Sequence, residues 1–91
     1  MAEVVFEWDE ANLEHLEKHG FSREDAEAAI IDPKRVSSFA KQDGGREKRF
    51  GVVGRGAGGD ILHVVFVIRD GRVRPFHLRE ANLAEKRRYR R

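Results

Sequence analysis

The rhythm of apolar positions changes near residue 35. Before it the pattern is mostly helical. "EANLEHLEKHG" reads as a first helix, with Asp9 as N-cap and Glu10 in the first turn. Gly20 stands where a left-handed residue closes such a helix, and Lys18 and His19 lie near its negative end. Ser22 with Asp25 makes a capping box for a second helix, Phe21 can staple onto Ala26, and Ala26, Ala29 and Ile30 form its inner stripe. Pro33 ends it at Asp32. The two together predict a helical hairpin, preceded by a short strand in "EVVFEW" (3–8).

From Arg35 to Arg79 the pattern predicts antiparallel strands: a weak one at 35–40, then 48–55, 61–68 and 72–79. "KQDGG" reads as a turn or loop. "ILHVVFVI" is almost continuously apolar, as a central strand covered on both faces would be. Asp70-Gly71 is a strong hairpin signal, and Pro75 belongs at an edge or a bulge. Asn82 with Glu85 caps a C-terminal helix. The order predicts one domain over residues 1–91. Its class is α+β: an antiparallel sheet of about four to five strands, packed by the helical hairpin and the last helix.

Composition narrows the function classes. The chain has 91 residues and no cysteine, which removes disulfides and thiolate metal sites. No apolar run approaches the ~20 residues of a membrane span, and "MAEVVFEWDE" is no signal peptide, so a soluble cytoplasmic protein is expected. The net charge of +2 conceals a split. Residues 1–45 hold 5 Lys/Arg against 11 Asp/Glu, and residues 46–91 hold 13 against 5. A basic face aimed at a polyanion fits this, as does an acidic helical surface beside basic strand edges.

Strand alternation places Val73, Pro75, His77 and Arg79 on one face, with Phe76 and Leu78 towards the helices. Cutting the phosphodiester backbone of a polyanion needs proton transfer and stabilisation of a charged phosphorane. His titrates near neutrality and Arg clamps phosphate, so His77 and Arg79 are the candidate catalytic pair. The alternative is an exposed strand-end pair without chemistry. Lys86, Arg87, Arg88, Arg90 and Arg91 put five cations in the last six positions, more than a helix dipole requires. They are candidates for phosphate contacts, or a solvated helix end. Tyr89 among them can stack on a base or anchor the helix to the sheet. Arg46, Lys48 and Arg49 form a third basic group, with Lys48 and Arg49 on opposite faces of one strand.

Other motifs carry less. His15 and His19 have zinc-compatible spacing, but no third ligand is obvious. "GRGAGG" matches a dinucleotide-binding pattern, but a strand rather than a helix follows it. His63 interrupts the central strand and reads as a satisfied core histidine.

"FEWDEANLEHLEKHGFSREDAEAAIIDP" resembles the start of the BrnT toxins, through Trp8-Asp9, Lys18-His19-Gly20 and Ser22. "REANLAEKRRY" resembles their end, through Arg79, Asn82, Glu85 and Tyr89, with "GVVGR" and "LHVVFVIRDGRVR" in the expected order between. His77 and Leu78 stand where that family usually carries Ser and Ala. The resemblance implies a RelE-like fold and a type II toxin that cleaves RNA without metal or other cofactor and stops translation. It also implies a ribbon-helix-helix antitoxin, two toxins with two antitoxins, that binds operator DNA. The competing reading is a non-catalytic basic module that occupies nucleic acid or acts as a corepressor within an antitoxin–DNA complex.

Overall fold

The computed structural model describes residues 4–43 and 47–91. It contains α1 (Glu10–Lys18), α2 (Arg23–Ile31), β1 (Val36–Asp43), β2 (Glu47–Arg55), β3 (Ile61–Arg69), β4 (Arg72–Glu80) and α3 (Leu83–Tyr89). The strands form one antiparallel sheet in the order β1-β2-β3-β4, so the expected α+β class holds.

Local chemistry sets each boundary. Asp9 accepts from the Asn12 N–H at the start of α1. At its end Gly20 takes φ +82°. The Gly20 and Phe21 N–H groups then return to the Glu17 and Leu16 carbonyls, a Schellman closure. Both expected capping boxes are present, Ser22 with Asp25 and Asn82 with Glu85. Asp70 and Gly71 both have positive φ, as a two-residue hairpin turn with the right twist requires.

Three details differ from the sequence expectation. "EVVFEW" contributes a single parallel bridge, Phe6 to Val73, on the outer edge of β4 rather than a strand. Lys41, Gln42 and Asp43 extend β1 instead of turning, because they pair in register with Arg49, Lys48 and Glu47. Finally, β4 is bulged. Val65 pairs with His77 and Phe66 with Pro75, so Phe76 is an extra residue. Val73 and Pro75 therefore share the helix-covered face with Leu78, while His77 and Arg79 face the other way.

The main core lies under α1 and α2. Leu16, Ala26, Ala29 and Ile30 meet Val52, Leu62, Val64, Phe66 and Leu78. The close approach is possible because a Cβ on Gly54 would collide with the Ala29 carbonyl. On the opposite face α3 covers one end of the sheet, where Val53, Ile61, Ala81 and Tyr89 form a second, smaller core. The middle strand, β3, is thus buried on both sides from Ile61 to Val67. No helix among the described residues is long and apolar enough to cross a membrane.

Candidate active site

The face that α3 leaves open carries a polar cluster built from four elements. Arg79 of β4 lies opposite His63 of β3 in register, and His77 lies one pair further along, opposite Val65. Ser38 comes from a bulge in β1. Ser37 pairs with Val52 and Phe39 with Gly51, so Ser38 is the unpaired residue. Its side chain crosses over β2 to reach β3. The crossing needs Gly51, since a Cβ there would overlap Ser38 Oγ and the Phe39 ring. Ser38 Oγ ends 2.8 Å from His63 Nε2.

Glu85, in the first turn of α3, joins the cluster from above. Its two oxygens accept from Arg79 Nη1 and Nη2 at 2.7 and 2.9 Å, and Oε1 also accepts from the Asn82 N–H. Oε2 stands 3.8 Å from His63 Nε2. One carboxylate therefore caps the helix and fixes the arginine. The Arg79 hydrogen bond, first among the causes, holds the Glu85 carboxyl below its ordinary range against the opposing effect of burial. The same bond raises Arg79 further above its already high value.

His63 is only 6% exposed. Burial pushes its pKa down, the Glu85 carboxylate pulls it up, and the charges of Arg79 and His77 add to the lowering. The ring is therefore held neutral. Its Nδ1 is buried without a hydrogen-bond partner. A bare lone pair there costs less than a buried, unpaired N–H, so the hydrogen belongs on Nε2. The nearby carboxylate favours the same tautomer. Nε2–H then donates to Ser38 Oγ, which leaves the serine hydroxyl hydrogen free to donate towards the open face. Arg79 has five N–H donors and uses three, on Glu85 twice and on the Glu80 carbonyl once. Two donors remain on a guanidinium whose side chain is 42% exposed. The arrangement can offer a phosphate a fixed positive charge, a hydroxyl and an exposed imidazole at His77.

Of the residues expected from sequence, Arg79 and His77 are brought together. Arg49 is on the same face by alternation, with its guanidinium 5.7 Å from the centre of the Phe76 ring. Lys48 falls on the other face, and Arg46 lies outside the described residues. In the tail, Lys86 pairs with Glu80 and Arg88 donates to the Ser37 carbonyl. Arg87 and Arg90 are exposed. Tyr89 is buried, with its hydroxyl on Asp32 and the Arg55 guanidinium over its ring, so its ring anchors α3 rather than facing solvent. Ser38, His63 and Glu85 were not expected as site residues. The available signal was a titratable residue within a strand otherwise fit for a dry core. Among the described residues no group of three or more His, Cys, Asp or Glu is gathered as a metal site.

A family model described as a ribonuclease toxin, BrnT, of type II toxin–antitoxin systems matches residues 8–85. The chain belongs to the BrnT family. A search of curated proteins gives no match. The BrnT match contains Ser38, His63, His77, Arg79 and Glu85, and stops before the cationic tail. Membership places the chain with the toxins of toxin–antitoxin systems, and the partner such a family implies is an antitoxin.

Proposed function

We propose that this chain is itself an endoribonuclease. It cleaves RNA on the open face of the sheet without a metal, stops translation, and is neutralised by a ribbon-helix-helix antitoxin that carries it to operator DNA. The observation that carries the reading is the convergence of Arg79, Ser38 and His77 around the buried His63 and the part-buried Glu85 beside it. In this reaction the 2′-oxygen attacks phosphorus, its proton passes to a base, and the bond to the 5′-oxygen breaks as that oxygen gains a proton. Arg79 and the Ser38 hydroxyl stabilise the extra charge on the phosphorane, and His77 transfers the proton. Arg49 and the tail cations, Lys86, Arg87, Arg88 and Arg90, lie along the route of the strand. The products are a 2′,3′-cyclic phosphate and a 5′-hydroxyl.

One feature favours the binding-only alternative: the Arg79–Glu85 pair already satisfies most of the guanidinium. The two readings separate on purified protein and RNA in EDTA. Multiple turnovers with cyclic-phosphate ends, reduced by roughly 10²–10⁴-fold in His77→Ala, support the enzyme. Stoichiometric binding with intact RNA would replace it by the corepressor module.

A further inference from the structure

We propose that the hollow at the C-terminal end of α3 is a phosphate-binding subsite that holds the RNA strand beside the cleavage centre, an inference that rests on the ribonuclease reading. The hollow has a volume of about 440 Å³. Five cations line it: Lys34 after α2, Arg55 at the end of β2, and Arg88, Arg90 and Arg91 of the tail. Val36 and Tyr89 supply its apolar wall, and no Asp or Glu is among its lining residues. Asp32 lies behind this wall. Its oxygens accept from the Tyr89 hydroxyl and from the N–H groups of Arg55 and Lys34.

Five like charges around one concavity repel one another unless an anion is shared among them. Two of the five are already fixed in position. Arg55 donates to the Gly59 carbonyl at 2.7 Å and lies against the Tyr89 ring. Arg88 donates to the Ser37 carbonyl at 2.8 Å. The side chains of Lys34, Arg90 and Arg91 make no ion pair or hydrogen bond among the described residues, which leaves their charges for a ligand.

Position argues for RNA. The carbonyl that holds Arg88 belongs to Ser37, the neighbour of Ser38, whose hydroxyl is in the cleavage centre. A strand with one phosphate at Arg79 and Ser38 meets the hollow as it continues over the β1 edge. The hollow offers cations but no exposed aromatic platform, since Tyr89 is buried. It therefore recognises phosphates and not bases, and adds affinity without sequence preference.

The test uses the full chain and a 2′-O-methyl RNA oligonucleotide, which binds but cannot be cleaved. Binding is followed by fluorescence anisotropy across salt concentrations. The triple variant Lys34→Gln, Arg90→Gln, Arg91→Gln should flatten the log–log salt slope by about 2, at ~0.7 for each phosphate that is no longer neutralised. Oligo-A and oligo-U should respond alike. A control with the same charge loss elsewhere, Lys18→Gln, Arg23→Gln, Arg72→Gln, should change the slope much less. Equal slopes in variant and control would overturn the subsite. So would unchanged RNA binding accompanied by weaker capture of the antitoxin. Loss of the ribonuclease reading gives a different pattern, no cleavage by the wild type with the variant's slope still flattened.

Discussion

The two faces of the sheet are made by the same strands and come out opposite in character. From β3, Leu62, Val64 and Phe66 enter a dry core under α1 and α2, while His63 and Val65 turn to the other side. The first face is closed by helices at backbone contact, through Gly54 against Ala29. The second is closed only at one end by α3, and its polar cluster sits at the margin of that cover. Alternation alone would give two similar faces. The second carries the polar cluster of the candidate site because bulges at Ser38 and Phe76 re-aim side chains, and because Gly51 lets Ser38 cross β2. The larger core lies on one side and the candidate site on the other.

That division predicts separable mutants. Leu62→Ala removes a side chain that is 1% exposed, and should cost about 2–5 kcal/mol of stability in a urea titration. RNA cleavage by the fraction that remains folded should be unchanged. A folded Leu62→Ala protein with a changed cleavage rate would show that the faces are coupled. Arg79→Ala should do the reverse. Losing the guanidinium proposed to meet the phosphorane should raise the barrier by about 3–4 kcal/mol, roughly 10²–10³-fold in rate, and abolish growth arrest. Its circular dichroism should remain native. Full toxicity from a folded Arg79→Ala protein would remove Arg79 from the mechanism.

The two glycines of β2 sharpen the comparison within one strand. Gly54→Ala presses a methyl group into the Ala29 carbonyl, a backbone atom that cannot swing aside. It should cost about 1–3 kcal/mol or more. Gly51→Ala meets only the side chains of Ser38 and Phe39, which can rotate away. Its stability cost should be the smaller of the two, but Ser38 should leave His63 and cleavage should fall. If Gly54→Ala lost activity at full stability, the assignment of the faces would be reversed.

Helix boundaries were legible because each is set by neighbours in sequence: Asp9, Ser22 with Asp25, Asn82 with Glu85, and Gly20. The Asp70-Gly71 turn was legible for the same reason. The faces of β4 were legible only beyond the bulge: His77, Leu78 and Arg79 face as alternation predicts, whereas Val73 and Pro75 before it do not, and nothing in "RVRPFHLR" fixes whether Pro75 or Phe76 is the extra residue. Part of the candidate site's geometry was legible, namely His77 and Arg79 on one face. Its other half is tertiary. Glu85 reads locally as a cap, and its hold on Arg79 appears only when α3 folds back over β4. Ser38 and His63 are 25 residues apart and meet across an intervening strand.

The smallest effect tests the polar face without breaking it. His63 is buried neutral, with its pKa lowered first by burial, opposed by Glu85 and assisted by the charges of Arg79 and His77. In the unfolded chain it titrates near ~6.5, so below that pH the unfolded state binds a proton that the folded state refuses. Stability must therefore fall as pH drops through the window below ~6.5, by up to about 1.4 kcal/mol per pH unit, and level off once the folded ring also protonates. A second acid limb lies lower. Asp25, Asp32 and Glu85 are all held below their ordinary values, so their contribution is complete above the carboxylate range and is lost as pH falls through it. His63→Gln should remove the first limb and keep the second. The measurement is the urea midpoint of wild type and variant from pH 7.5 to 3.5. Parallel curves throughout would mean that His63 protonates as easily folded as unfolded, and the neutral imidazole that orients Ser38 would have to be abandoned.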